Sequence, residues 1–377
     1  MVQSVGDSFK DQFARHYKDA AEKIGRFNLA IFGKTGAGKS TLINAIFGEA
    51  VAKTGIGEPV TQDEHLYIHR SGALGLLDTR GVEIGDDTET IIDDLRRVIT
   101  ERRSKPLKEQ IHLAWYCVRA SDRRFEATEA EFIMKLDKLG LPVICVLTQV
   151  PRNSAGGYHP DALQLAEAIE EQKLPIVGSK VIMTMATADE FTGHAQHGLE
   201  KLLDASFRAA PRGVETALAA AQQIDMGRKR NEAMAIAGTA STAAAAAGAV
   251  PIPFSDAFLL VPIQLGMMGG IANVYGIDLD KATIASVAAT AAATNVGRSA
   301  VGGLLKLIPG VGTLVGGAIN AAFASGFTMA MGVAWALVCQ KLAEGGLRLV
   351  DGALDVDAIR SVFVGEFKGQ VSRRLKK

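Results

Sequence analysis

The sequence predicts an α/β unit with a mostly parallel sheet, followed by an all-α unit rich in Ala and Gly. Three observations carry this. Strand-like and helix-like segments alternate from Arg26 to about Ala210, the pattern of a parallel sheet covered by helices on both faces. Gly33-Lys34-Thr35-Gly36-Ala37-Gly38-Lys39-Ser40 stands between the first strand and the first helix of that alternation. Beyond Pro211, three long stretches, Ala233–Ser255, Ala257–Ile277 and Leu307–Gln340, hold no charged residue.

A chain of 377 residues has room for two or three domains and a sizeable core. Charge thins out between about Glu232 and Lys341, and with the helical spacing at both ends and the alternation between them this divides the chain into 1–25 (an amphipathic helix), 26–210 (the α/β unit), 211–345 (the apolar helices) and 346–377 (an amphipathic tail). With 41 acidic and 41 basic residues the net charge is zero, and no nucleic-acid partner is expected. Cys117, Cys145 and Cys339 are odd in number and set in apolar runs, which fits reduced thiols of a cytosolic compartment. The charged N-terminus lacks a continuous apolar run, so no secretory signal is expected.

In chain order, Phe9, Phe13, Tyr17, Ala20 and Ile24 recur at helical spacing and predict a helix that packs on its own protein. Strands are predicted at Phe27–Phe32, Glu64–His69, Ala73–Leu77, Ile111–Val118, Val143–Leu147 and Val181–Met185. Helices are predicted at Thr41–Phe47, Ile91–Thr100, Glu126–Leu139, Ala162–Gln172 and Gly198–Phe207, then a connecting helix at Glu215–Arg230. Functional groups in such a sheet belong at the carboxyl ends of the strands.

The Gly33–Ser40 stretch matches the phosphate-binding P-loop: two glycines with four residues between them, then Lys and Ser, between strand and helix. Its glycines let backbone N–H groups turn inward around a phosphate, and the helix that follows points its positive end there. Gly33 to Thr41 is therefore the expected nucleotide-binding stretch, with Lys39 on the outer phosphates and Ser40 on Mg²⁺. Lys34 reaches for the phosphate charge or is a solvated loop lysine. Leu77-Asp78-Thr79-Arg80-Gly81 follows the third strand; Asp78 is placed to hold Mg²⁺ through water and Gly81 to offer its N–H to the terminal phosphate. In the loop 55–61, Thr61 is either the hydroxyl that completes the Mg²⁺ shell or a solvent-exposed loop threonine.

Gly33–Ser40, Thr61 and Asp78–Gly81 resemble the first three motifs of Ras-like P-loop GTPases of the translation-factor class, the branch with Era-like and TrmE-like proteins, dynamins and immunity-related GTPases. The resemblance covers Arg26 to Ala210. It implies a six-stranded sheet with the second strand antiparallel, GTP and GDP as ligands with Mg²⁺, and switch loops around Thr61 and Gly81. Three departures accompany it. In the base-reading motif Thr148 fits, but Gln149 replaces Lys and Pro151 replaces Asp, leaving Asn153 or a carboxylate from elsewhere to read the ring. Val82 stands where Ras has its water-orienting Gln. Gly36 stands where potassium-activated relatives carry Asn. The last motif is represented by Met183-Thr184-Met185-Ala186-Thr187, with the Ala186 N–H facing the base. His194 and His197 have helical metal-ligand spacing without a third ligand nearby, so they are not read as a metal site.

The apolar half admits two readings. Its charge-free stretches are long enough to span a membrane. Yet Ala contributes little to insertion, and Asp256 costs about 2.5–3.5 kcal/mol at mid-membrane against about 0.3–0.6 gained per Leu, Ile, Phe or Val. The glycines of Leu307–Gln340 suit close helix packing either in a bilayer or in a soluble bundle. Pro251-Ile252-Pro253-Phe254-Ser255-Asp256-Ala257 and Leu307-Ile308-Pro309-Gly310-Val311-Gly312 resemble a YcjF-like bacterial helical domain of undefined role, commonly described as membrane-associated. Pro251 and Pro253 also break one helix before another that Asp256 caps. The last helix, Val356–Lys377, ends in basic residues that complement its dipole or an anionic lipid surface.

The expected function is a bacterial-type GTPase, slow until self-association or a partner accelerates it, acting as a switch on a helical domain that is soluble or associated with the cytoplasmic side of the inner membrane. Two rivals are a nucleotide-binding scaffold with negligible turnover and a membrane-remodelling or pore-forming protein regulated by nucleotide.

Overall fold

The computed structural model describes residues 2–48, 66–69, 71–77, 88–188, 193–248, 256–286, 289 and 316–375. They form two units. One is Gly25–Asp225; the other joins Met1–Ile24 to Met226–Lys377. The N-terminal helix and the C-terminal tail, separate segments on the sequence reading, are thus parts of the helical unit.

The first unit is a six-stranded sheet in the order β2-β3-β1-β4-β5-β6. Its strands are β1 (Phe27–Phe32), β2 (Leu66–Ile68), β3 (Leu74–Leu77), β4 (Leu113–Arg119), β5 (Val143–Thr148) and β6 (Ile182–Met183). β2 runs antiparallel to β3, and the remaining pairs are parallel. The central strands are apolar because both faces are covered. Alternation along β4 sorts them: Trp115 stacks on Phe47 of α2 (Lys39–Phe47) at 5.7 Å and donates from Nε1 to Ser206 Oγ of α6 (Leu199–Ala209) at 3.0 Å. Tyr116 points to the other face, 6.0 Å from Phe132 of α4 (Ala127–Lys138), which also meets Phe32 edge-on at 5.1 Å. Helices α3 (Thr88–Arg103) and α5 (Pro160–Glu171) complete the layers.

The predicted connecting helix Glu215–Arg230 is not continuous. It divides into α7 (Glu215–Ala221) and α8 (Met226–Gly248). Gln222 makes the break: its Oε1 accepts from Ile224 N at 2.9 Å and Asp225 N at 2.7 Å, while Nε2 donates to Asp225 O at 2.9 Å. A side chain supplies the bonds that a continued helix would have made, and Gln223 N donates instead to Ile46 O of α2 at 2.8 Å.

In the helical unit, α8 and α9 (Asp256–Tyr275) pack with α11 (Gly316–Ala343), joined by α1 (Val2–Ile24), a short helix α10 (279–286) and α12 (Val356–Leu375). Small residues bring the backbones close: Ser241 and Ser325 share a 2.8 Å hydrogen bond, and a Cβ on Gly332 would come within 2.6 Å of Ala237 Cβ. Polar groups are paired across helices. Trp335 Nε1 donates to Met268 O at 2.8 Å, and Tyr17 O–H donates to Ile277 O at 2.8 Å. Buried Lys229 donates to Val274 O at the end of α9 at 2.7 Å; burial pulls its pKa down to about 7. The apolar stripe of α1 lies against α9, and Ile359, Phe363 and Phe367 of α12 are fully buried in the same core. Among the described residues, one helical stretch, Ala321–Ala343, is long and apolar enough to cross a bilayer, and just over half of it is buried within the unit.

Candidate functional site

The loop between β1 and α2 lies at the carboxyl end of a strand flanked by β3 and β4. Gly33 (φ 131°), Gly36 (φ 79°) and Gly38 (φ 78°) all have positive φ, so the loop curls into a turn that side-chain-bearing residues rarely adopt. A side chain at Gly33 would also run into the Cys117 carbonyl oxygen of β4. The turn closes through Ala37 N to Lys34 O at 3.1 Å, and α2 begins with Leu42 N to Gly38 O at 2.9 Å. The Lys39 ammonium folds back over the loop and donates to Gly33 O at 2.6 Å and Lys34 O at 2.9 Å. Thr35, Gly36, Ser40 and Thr41 are exposed at the rim, whereas Ala37 is buried beneath.

Thr148 and Gln149, which the family resemblance places at the base, and Lys34 all make contacts at or around the loop. Thr148, at the end of β5, donates from Oγ1 to Ala37 O at 2.6 Å. Gln149, in the left-handed region at φ 55°, donates from Nε2 to Gly36 O at 3.1 Å. Both brace the loop from the side. Lys34 is partly exposed and ion-paired. Its ammonium pairs with Glu126 at 3.0 Å and Glu129 at 3.1 Å, at the start of α4. Glu129 is almost wholly buried; it also accepts from Tyr116 O–H at 3.2 Å and Glu126 N at 2.9 Å. Partial burial lowers the Lys34 pKa, but the bonds to Glu126 and Glu129 outweigh it and the net shift is upward.

The strand end beyond Gln149 is held by histidines. His197 Nε2 pairs with Val150 O at 2.9 Å and His194 Nδ1 with Arg152 O at 3.1 Å. Burial lowers the His197 pKa, which keeps the ring neutral. Asn153, considered as a base reader, has its Oδ1 engaged by Gly157 N at 2.8 Å in a local turn. Ala186 follows β6 and accepts from Gln196 Nε2 at 2.7 Å through its carbonyl. No group of three or more His, Cys, Asp or Glu suited to a metal occurs among the described residues.

Thr61, Asp78, Gly81 and Val82 lie outside the described residues. Ser40, in the first turn of α2, is the described member of the expected Mg²⁺ set. Two hydroxyls and a carboxylate are hard oxygen donors, the chemistry Mg²⁺ requires. Arg119 lies outside the sequence motifs. It ends β4 and lies beside the loop, its Nη1 3.5 Å from where a Gly36 Cβ would be. The available signal was a charged residue at the carboxyl end of a buried strand adjacent to the loop strand.

Residues 28–149 match the family model described as 50S ribosome-binding GTPase, which supports a P-loop GTPase domain. The matched region ends at Gln149, two positions before Pro151. The chain is also similar to Magnetosome membrane protein 22 of Magnetospirillum gryphiswaldense, 32% identical over 130 residues. That alignment covers 33% of this chain and 64% of the relative's length, so the chain spans somewhat under two thirds of it.

Proposed function

We propose that the α/β unit binds GTP and GDP with Mg²⁺, hydrolyses GTP slowly, and acts as a nucleotide-dependent switch on a membrane-associated helical unit. The observation that carries the reading is the loop itself: three positive-φ glycines shape a cradle at a strand's carboxyl end, with Lys39 folded over it and a helix starting behind it. The family match over residues 28–149 supports GTP as the ligand. Phosphate oxygens would compete with the Gly33 and Lys34 carbonyls for the Lys39 ammonium. Ser40, with Thr61 and Asp78, would hold Mg²⁺, which neutralises charge on the outer phosphates.

Slow turnover follows from Val82 and Gly36, which offer no polar side chain to a water or a monovalent cation. A second copy or another partner would supply what they lack. The Era, TrmE, dynamin and immunity-related branch and a YcjF-like helical domain are the affiliations the sequence motifs favour. Membrane association draws on the Ala321–Ala343 stretch and on the name of the magnetosome membrane relative.

Nucleotide extracted from the purified protein and titrations with GTP, GDP and ATP test the reading. The expected outcome is bound guanine nucleotide, binding that needs Lys39, and a single-turnover rate that rises with protein concentration. ATP binding equal to or tighter than GTP would overturn the guanine assignment, and a fast, concentration-independent rate would overturn the slow switch. Bound triphosphate with no turnover at any concentration would instead identify a scaffold.

A further inference from the structure

We infer that Arg119 is a phosphate-contacting residue of the nucleotide site, held in position by Asp122. The inference rests on the nucleotide-binding reading above and adds to it a residue outside the sequence motifs.

The argument begins with charge. Among the described residues, the cationic side chains at or beside the loop include Lys34, Lys39 and Arg119. Lys34 is committed to Glu126 and Glu129, so its charge is largely neutralised on the α4 side. Arg119 pairs with a single carboxylate, Asp122, through Nε and Nη2, and its remaining nitrogen lies beside the loop, as Lys39 does. Placement comes next. Arg119 is the last residue of β4, the parallel neighbour of β1, and so sits at the carboxyl end of a central strand, where ligands of such folds bind. Its guanidinium is oriented: Nε and Nη2 both reach Asp122 Oδ1 at 2.7 Å. The fork is therefore turned with Nη1 toward the loop, where it is the nearest heavy atom to the position of a Gly36 Cβ, at 3.5 Å.

Geometry at Gly36 explains why the arginine can come so close. Gly36 is exposed at the rim, carries no side chain, and has its carbonyl drawn sideways by Gln149. The space a side chain would fill opens onto the arginine. A planar guanidinium anchored by a carboxylate through Nε and Nη2, with Nη1 turned toward the loop, suits phosphate oxygens better than a mobile lysine. Partial exposure of the Arg119 side chain, 40%, means that it stands at the mouth of the site, where a ligand would cover it.

The test is equilibrium binding of fluorescent GDP and GTP analogues to the full chain and to R119A, R119K and D122N, at low and high salt, with unfolding midpoints of the nucleotide-free proteins measured alongside. R119A is expected to bind both analogues about 10- to 100-fold more weakly and with a shallower salt dependence, since one charge-assisted contact is lost. R119K should fall between R119A and the parent. D122N, which keeps the guanidinium but frees it, should weaken binding less than R119A. R119A binding with the parent's affinity and salt dependence would overturn the inference while leaving the nucleotide reading intact. Failure of the parent chain to bind either analogue would overturn the nucleotide reading itself. Should R119A unfold, the order of R119K and D122N relative to the parent decides the matter, and equal affinity in all three counts against the inference.

Discussion

Lys34 shows how a motif residue acquires a role its spacing does not reveal. Its neighbours in sequence suggest a phosphate ligand; its neighbours in space are Glu126 and Glu129, more than ninety residues later, and no local pattern announces that pairing. Glu129 is the more demanding partner, because its side chain is only 2% exposed and a buried carboxylate needs a compensating charge. Replacing Lys34 with Met should destabilise the α/β unit by about 1–3 kcal/mol, below the figure for a fully buried pair because Lys34 is 29% exposed. The double variant K34M/E129Q should recover most of that loss, since the uncharged amide no longer needs the ammonium. Urea unfolding of the four proteins in a double-mutant cycle measures the coupling, and a neutral K34M would show that Glu129 is satisfied without it. Thr148, Gln149 and Arg119 teach the same lesson: the sequence placed the first two near the ligand and left out the third, because contacts to Ala37 O, Gly36 O and the Gly36 rim depend on strand order.

At the scale of elements, the six strands were legible because each is a short apolar run bounded by turn-forming residues, and a sheet buried on both faces needs little alternation. The antiparallel second strand came from the family resemblance, not from any local feature of Leu66–Ile68. The break between α7 and α8 was illegible for a physical reason: the run from Glu215 to Arg230 is rich in Ala and contains no Pro, and its glycine, Gly227, falls after the break. Gln222 stops the helix by turning its amide onto Ile224, Asp225 and their backbone, a choice no propensity scale encodes. Q222L should cost about 1–2 kcal/mol in denaturant unfolding of the α/β unit, because Ile224 N and Asp225 N lose their acceptor. The same substitution should raise far-UV helical signal as α7 extends toward α8. No change in either would mean that the packing of Gln223 against α2 enforces the break without Gln222.

For the whole molecule, the chain order matters more than either unit alone. The α/β unit, Gly25–Asp225, is inserted between two segments of one helical unit, so it is joined to that unit covalently at both Ile24 and Met226. A switch built this way can act through two connections, whereas a domain appended at one end has a single tether. The two tryptophans provide a direct readout, since Trp115 lies in β4 and Trp335 in α11. Trp335 is fully buried and its indole is fixed by the bond to Met268 O, so its emission reports on α9 and α11 packing. In a W115F variant, which forgoes the bond to Ser206 while keeping an aromatic ring against Phe47, Trp335 is the sole tryptophan and, under excitation selective for tryptophan, the source of the emission. If nucleotide state controls the helices, its emission or quenching should differ between GTP-loaded and GDP-loaded protein, and the difference should grow with vesicles of anionic lipid present. Ligand binding confined to the α/β unit would instead raise that unit's stability, by about 2.7 kcal/mol at a hundredfold excess over Kd, and leave Trp335 unchanged. Identical Trp335 spectra in both nucleotide states, with and without lipid, would therefore remove the switch while leaving nucleotide binding in place.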